Sequence, residues 1–172
     1  MAQSVYLETT IPSYLTAWRS SELIMAANQQ ATRQWWDAAR PNYDVFISDV
    51  VLREAAEGNK EAAARRLSVL AGIPELELSS EAEQLAGLLL ARAALPPKAR
   101  IDALHIGIAT LNGMDFLLTW NCRHIANAAT QHIIEATYRS AGCERRDESA
   151  LHRNLWEPRH DPRSHCRRNT PS

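Results

Sequence analysis

The sequence is poor in cysteine, has no long apolar run and has no excess of charge of either sign. Its three cysteines form no C-x-x-C pair and are too few for a disulfide framework, which argues against a zinc ribbon or a small disulfide scaffold. No stretch approaches the roughly 18 apolar residues that a membrane-spanning helix needs. The N-terminus has no basic segment leading into an apolar run. We therefore expect a cytoplasmic protein that is neither exported nor bound to a membrane.

The near balance of charge excludes one simple mode of nucleic-acid binding. The formal net charge is −1, from 19 Lys and Arg against 20 Asp and Glu, so the chain has no overall basic field. A polyanionic partner would have to be held by a local patch or by bound metal. At 172 residues and 45% hydrophobic, the chain fits one globular domain with a real core.

Segments with strand and helix patterns alternate along the chain. The apolar patterns predict strands at about 3–7, 43–47, 76–78 and 115–119. Helices are predicted at about 12–18, 20–39, 49–57, 60–70, 80–94, 98–112 and 125–141. This alternation implies βαβ units, so we predict an α/β domain with a central parallel sheet.

Several residues have the character of helix caps and stops. Ser48 is a good N-cap for the helix at 49–57, and Asn59 is a good N-cap for the next helix. Ser80 with Glu83 fits a capping box. Gly113 is expected to end the helix that precedes the fourth strand.

The composition changes after Gly142. Arginine, histidine, proline and acidic residues dominate there, and such a segment cannot bury enough apolar surface to order itself. We expect a domain over residues 1–142 and a disordered, Arg-rich tail over 143–172. No part of this tail has the pattern of a strand, so a fifth strand in the sheet is doubtful.

Four side chains with oxygen ligands occur where strands give way to helices or loops, or in the helix that follows. They are Glu8, Glu54, Asp102 and Asn121. Hard cations such as Mg²⁺ and Mn²⁺ take oxygen ligands, and ligands of open parallel sheets bind outside the carboxyl ends of the strands. Mutual repulsion makes clustered carboxylates costly without a cation. We therefore predict a metal site in which Glu8, Glu54 and Asp102 are ligands and Asn121, which offers a neutral amide oxygen, is a fourth ligand or a substrate contact.

Each of the four has a simpler interpretation. Asp102 could be an acidic residue favoured by the dipole at a helix N-terminus, and Glu54 could lie on a solvated helix face. Glu8 follows a buried strand, so its carboxylate could be satisfied by a local N–H or an arginine. Asn121 could be a turn residue at a strand end.

Neighbouring residues are candidates for supporting roles. They are Thr9, Thr10, Ser48, His105, Trp120, Arg123 and His124. The threonines could hold a phosphate or a metal-bound water, or cap the following helix. His105 could orient Asp102 or touch substrate, or be an ordinary core histidine. Arg123 and His124 could contact phosphate or lie in a solvated loop, and Trp120 could stack on a base or pack in the core.

Four phrases along the chain carry a family resemblance: YLETTIPSYL at 6–15, ISDVVLREA at 47–55, DALHIGIA at 102–109 and GMDFLLTWNCRHIAN at 113–127. Together they resemble the PIN domain, and most closely the VapC-like toxins of bacterial type II toxin-antitoxin modules. Because they occur in the family's order, the resemblance covers about residues 3–141. It implies a three-layer α/β/α domain and an Mg²⁺- or Mn²⁺-dependent endoribonuclease that cleaves RNA as the toxin half of a toxin-antitoxin pair.

The resemblance places the family's acidic positions on Glu8, Glu54, Asp102 and Asn121. The commonest pattern has aspartate where Glu8 stands and often aspartate where Asn121 stands, which motivates an alternative: a catalytically weakened PIN domain that binds RNA or a protein. A nuclease acting on DNA flaps is disfavoured, because the chain lacks the large insertions and basic clamps it would need. Expected partners are RNA, a cognate antitoxin and a second copy in a homodimer, with a partner surface over about 12–39 that contains Tyr14, Trp18, Trp35 and Trp36.

Overall fold

A computed structural model of the chain describes residues 2–92 and 95–140. The tail predicted over 143–172 and the boundary predicted at 142 lie outside these ranges. Within them, four strands alternate with seven α-helices. They are β1 Gln3–Leu7, α1 Thr10–Thr16, α2 Leu23–Gln34, β2 Tyr43–Ser48, α3 Asp49–Ala56, α4 Lys60–Leu70, β3 Glu75–Leu76, α5 Ser80–Ala91, α6 Arg100–Leu111, β4 Phe116–Leu118 and α7 Ala128–Ser140.

The four strands form one parallel sheet in the order β3-β2-β1-β4, flanked by helices. In the register of the sheet, Val5 lies opposite Val45 on one side and Phe116 on the other. The predicted fold class, a three-layer α/β/α arrangement around a parallel sheet, is confirmed.

The core lies around β1 and α6. Val5, Tyr6 and Leu7 are completely buried, as expected for a central strand covered on both faces. Helix α6 packs closely on α5 at Gly107, where an added Cβ would come within 2.6 Å of the Ala82 carbonyl oxygen. Glycine is therefore required at this helix contact.

Local capping signals were partly correct. The Asn59 side chain accepts hydrogen bonds from the backbone N–H groups of Glu61 and Ala62, so the predicted cap of α4 is confirmed. Helix α5 is capped by Ser79, which accepts from the Ala82 N–H, and not by Ser80 as predicted. Ser48 occupies the N-cap position of α3 but makes no side-chain cap bond there.

Several elements begin or end one to three residues from their predicted bounds, and the helix predicted at 20–39 and the strand predicted at 76–78 differ for identifiable reasons. The helix predicted over 20–39 is α2 followed by a π-helical turn, Trp35–Ala39, and a 3₁₀ turn, Arg40–Asn42. Strand β3 is Glu75–Leu76 and not 76–78, because its partner β2 turns into α3 after Ser48 and offers no further backbone to pair. Among the described helices, none combines the length and hydrophobicity that crossing a bilayer requires.

The strand order creates a crevice at one end of the sheet. The chain passes from β1 to β2 to β3 in one direction, and β4 lies on the other side of β1. Ligands of such sheets bind outside the carboxyl ends of the strands where this direction reverses. Glu8 follows β1 and Thr119 follows β4, so both lie at this switch point.

Candidate metal centre

Two glutamates and a histidine meet at the carboxyl end of the sheet. Glu8 comes from the end of β1, Glu54 from α3 and His105 from α6, and one potential ligand atom of each lies within 4.8 Å of the others. Glu8 is 4% exposed and His105 is fully buried. Two carboxylates in so small a space form a site that a divalent cation would stabilise.

The Glu8 carboxylate is held through a single oxygen. Its Oε2 accepts hydrogen bonds from the Thr10 N–H at 3.1 Å, the Thr10 hydroxyl at 2.5 Å and the Thr119 hydroxyl at 2.7 Å. Among the described residues, none donates a hydrogen bond to Oε1. The donors therefore fix the carboxylate and leave its other oxygen available.

The Glu54 carboxylate is held in the same way. Its Oε2 accepts from the Thr9 hydroxyl at 2.5 Å and contacts His105 Nε2 at 2.8 Å. Burial by itself would raise the pKa of Glu54, but the hydrogen bonds from His105 and Thr9 outweigh burial and lower the pKa. Glu54 is therefore a carboxylate at neutral pH.

His105 is joined on its other side to a buried hydroxyl pair. The Tyr6 hydroxyl lies 2.8 Å from His105 Nδ1 and 2.7 Å from the Ser48 Oγ. Burial, reinforced by the charges of Glu8, Glu54 and Asp49, raises the pKa of Tyr6 well above its usual range despite the Ser48 hydrogen bond. Tyr6 is thus a neutral phenol, and its bond to Ser48 explains why Ser48 does not cap α3.

Glu8, Glu54 and the side chains hydrogen-bonded to them, directly or through His105, form one connected set, which we call the glutamate network. Its members are Glu8 and Glu54 with Tyr6, Thr9, Thr10, Ser48, His105 and Thr119.

A second set, the aspartate network, consists of Asp102, Asn121 and His124. Asn121 Nδ2 donates to Asp102 Oδ1 at 2.9 Å, and His124 Nδ1 lies 2.7 Å from Asp102 Oδ2. Asn121 Oδ1 in turn accepts from the His124 backbone N–H at 3.1 Å. Both oxygens of Asp102 and both polar atoms of the Asn121 amide are therefore engaged.

The two networks adjoin. The Asn121 N–H donates to the Thr119 hydroxyl at 2.8 Å, and that hydroxyl donates to Glu8. Asp102 lies one helical turn before His105 on α6, a spacing that puts both side chains on one face of the helix. The structure thus brings Glu8 and Glu54 into one site, and it places Asp102 and Asn121 beside that site and bonded to each other.

The supporting candidates have definite places. Thr9 and Thr10 bond the two glutamates, and His105 contacts Glu54 rather than Asp102. Trp120 stacks on Tyr14, and its Nε1 donates to the Thr32 hydroxyl at 2.7 Å, which favours the packing role.

Sequence reasoning missed Tyr6. A tyrosine in a fully buried strand needs a partner for its hydroxyl, and that requirement is the signal that could have identified it. The identity of the partner could not have been read from the sequence, because His105 is 99 residues away.

Compared with protein-family models, with curated proteins and with solved structures, the chain gives no significant match.

Proposed function

We propose that this protein is a metal-dependent endoribonuclease of the PIN type, which hydrolyses phosphodiester bonds of RNA. The observation that carries the proposal is the pair of carboxylates, Glu8 and Glu54, that shares one small site at the switch point of a parallel sheet. The four phrases that resemble the PIN domain supply the residues of this site, and the sheet brings them to one end.

The donor set fits Mg²⁺ or Mn²⁺. Glu8 and Glu54 would hold the ion, and Asp102, which is bonded to Asn121 and His124 beside them, would add negative charge near it. A bound divalent cation supplies an activated water and neutralises charge on the phosphate. The protein's own part is to fix the carboxylates, which Thr10 and Thr119 do for Glu8.

RNA is the expected substrate, and exposed basic residues close in sequence to Asp102 and Asn121 support a local phosphate-binding patch. Lys98 is exposed just before α6 and Arg100 is exposed at its start, while Arg123 is exposed between Asn121 and His124. Such a patch is what a chain with a net charge of −1 needs in order to bind a polyanion.

The toxin role requires a protein partner, and an exposed apolar surface supports it. Trp18, Leu23 and Ile24 are 79%, 84% and 76% exposed in and after the connection between α1 and α2. Two other aromatic residues considered for this surface are less exposed: Trp35 is buried and Trp36 is half-buried. We propose that the surface of Trp18, Leu23 and Ile24 binds a cognate antitoxin or a second copy in a homodimer.

Substitution of this surface tests the partner role. Trp18→Ala is expected to weaken capture of the antitoxin encoded by the neighbouring reading frame, or self-association in sedimentation, by about 2 kcal/mol or more if Trp18 is a hot spot. Trp36→Ala should weaken it less. The melting temperature of Trp18→Ala should stay close to the parent's, since exposed positions contribute little to stability. Unchanged association with an intact fold would remove this surface from consideration.

A second function is favoured by the aspartate network. Asn121 stands where a carboxylate is common in the PIN family, and its side-chain amide donates a hydrogen bond to Asp102. A chain with this arrangement could be a weakened PIN domain that binds RNA or a protein without cleaving it.

One assay separates the two functions. Single-stranded RNA is incubated with the full chain in Mn²⁺ or in a chelator, and cleavage and binding are both followed. We expect cleavage that depends on Mn²⁺ and is lost in Glu54→Gln. Glu57→Gln is the matched control, because Glu57 is exposed just after α3 and the charge change is the same. Binding without cleavage in Mn²⁺ would favour the weakened domain.

A further inference from the structure

His105 can be interpreted in two ways. Its ring lies close enough to Glu8 and Glu54 to be a third ion ligand. Alternatively, it positions Glu54 and never touches the ion. The choice depends on which ring nitrogen carries a proton, because a ligating nitrogen must present a lone pair.

The contact with Glu54 decides the state of Nε2. Glu54 Oε2 already accepts a hydrogen bond from the Thr9 hydroxyl, so this oxygen acts as an acceptor in the site. The 2.8 Å contact between His105 Nε2 and Glu54 Oε2 therefore requires a proton on Nε2. A protonated Nε2 has no lone pair to offer an ion.

Tyr6 and Ser48 hold this arrangement in place. In the neutral ring, Nδ1 accepts from the Tyr6 hydroxyl at 2.8 Å, and the Tyr6 oxygen then accepts from Ser48 at 2.7 Å. All three side chains are completely buried, so a rotated ring would leave polar groups without partners and without water. The chain of bonds therefore sets both the tautomer and the orientation of the ring.

The effect falls on Glu54. His105 and Thr9 both bind Oε2, so the carboxylate is held by that oxygen. Glu8 is likewise held by Oε2, through Thr10 and Thr119. The two glutamates thus share one design, in which donors engage one oxygen and leave the other for an ion.

We propose that His105 is a positioning residue for Glu54, that Tyr6 and Ser48 hold His105 in the tautomer this requires, and that His105 is not an ion ligand. The inference rests on the proposed function, because it assumes an ion at Glu8 and Glu54.

The first test is spectroscopic and uses the full chain with and without Mg²⁺, which is diamagnetic. Long-range proton–nitrogen correlation spectra of the imidazoles report which ring nitrogen is protonated, and His105→Gln identifies the signals of His105. We expect Nε2 to be protonated and Nδ1 unprotonated in both spectra. Loss of the Nε2 proton when Mg²⁺ binds would overturn the proposal.

The second test measures Mn²⁺ affinity by calorimetry. Tyr6→Phe removes the hydroxyl that holds His105 and is expected to raise the dissociation constant about 10-fold, as loss of an outer-shell partner typically does. Ser48→Ala, at the far end of the chain of bonds, should raise it by a smaller factor and serves if Tyr6→Phe folds poorly.

The matched control is Ser4→Ala. It removes a hydroxyl from the same strand that also makes two hydrogen bonds, but both go to Asp115 at the opposite end of the sheet. It should leave Mn²⁺ affinity unchanged. If the parent binds Mn²⁺ and cleaves RNA while Tyr6→Phe and Ser48→Ala bind as tightly as Ser4→Ala, the positioning proposal alone fails. If the parent binds neither ion, the site at Glu8 and Glu54 fails, and the proposed function and the positioning role fail with it.

Discussion

The glutamate network and the aspartate network lie side by side but are built differently. The glutamate network joins residues as far as 111 positions apart; its Tyr6 and His105 are completely buried, while its Glu54 side chain is 30% exposed. The aspartate network joins residues 19 and 22 positions apart, and the Asp102 and His124 side chains are 19% and 17% exposed. The glutamate network therefore depends on the whole fold, whereas the aspartate network depends on the start of α6 and the loop after β4.

This difference indicates that the glutamate network is the more rigid of the two and that the aspartate network adjusts more easily. The glutamate network cannot rearrange without disturbing β1, α3 and α6, which are packed in the core. In the aspartate network, Asn121 and His124 lie on the loop after β4, and we expect them to shift more easily than Asp102 on α6, because loops open more easily than core elements. We expect changes in the glutamate network to act mainly on the affinity for Mn²⁺, and changes in the aspartate network to act mainly on the rate of RNA cleavage.

The largest expected effect comes from removing a charge in the rigid half. Glu8→Gln keeps an acceptor oxygen for Thr10 and Thr119 but loses the negative charge. Calorimetry should show Mn²⁺ affinity reduced by more than about 100-fold, since outer-shell changes alone cost about 10–100-fold. Glu8→Ala should also lower stability by about 1–3 kcal/mol, because it leaves donors of Thr10 and Thr119 unpaired. Normal Mn²⁺ binding by both variants would place Glu8 outside the ion site.

Asp102→Asn removes the negative charge of the aspartate network and leaves the glutamate network unchanged. An asparagine can still accept from Asn121 and pair with His124, so the fold should remain intact. We expect RNA cleavage to be abolished, while Mn²⁺ affinity falls by only about 10-fold, the lower end of the range for outer-shell changes. Cleavage rates and calorimetry on the same preparation check this. Cleavage at the parental rate would show that Asp102 has no part in the reaction.

Asn121→Asp adds a negative charge to the aspartate network, and its expected effect is smaller than that of Asp102→Asn. The new carboxylate faces Asp102 and loses the 2.9 Å hydrogen bond, so the metal-free protein should lose about 1 kcal/mol of unfolding free energy. An added cation relieves the repulsion, and Mn²⁺ should bind up to about 10-fold tighter, equivalent to about 1.4 kcal/mol. Denaturant titrations with and without Mn²⁺ measure both quantities. An unchanged affinity would mean that position 121 does not face the ion.

The smallest expected effect is on the pH dependence of stability. The pKa of Glu54 in the folded protein is lowered from its ordinary value of 4.5. Its contribution is therefore complete above 4.5 and is lost as the pH falls through the folded pKa. The difference in unfolding free energy between the parent and Glu54→Gln should shrink as the pH is lowered below 4.5. A difference that stays constant over that range would contradict the role of the His105 and Thr9 hydrogen bonds.

Local patterns in the amino-acid sequence were enough to predict the alternation of strands and helices, and with it the parallel sheet. The apolar run at Val5, Tyr6 and Leu7 and the cap at Asn59 are local signals whose physics does not depend on the rest of the chain. The positions of Glu8 and Asn121 after their strands also followed from the pattern, since carboxyl ends of parallel strands meet at one edge. The serine that caps α5 could not be predicted in this way, because Ser79 and Ser80 are equally suitable from sequence.

The pairing of the polar groups in the site depends on the packing of distant segments, which local patterns do not specify. Ser48 satisfies the rules for an N-cap, yet its hydroxyl bonds Tyr6, because the burial of β1 leaves the Tyr6 hydroxyl no water and Ser48 is the partner within reach. His105 contacts Glu54 and not its helical neighbour Asp102 for the same kind of reason: α3 and α6 pack so that the Glu54 carboxylate meets the ring. Hydrogen bonds between distant segments depend on distances that a sequence does not contain, so the fold had to form before these partners were set.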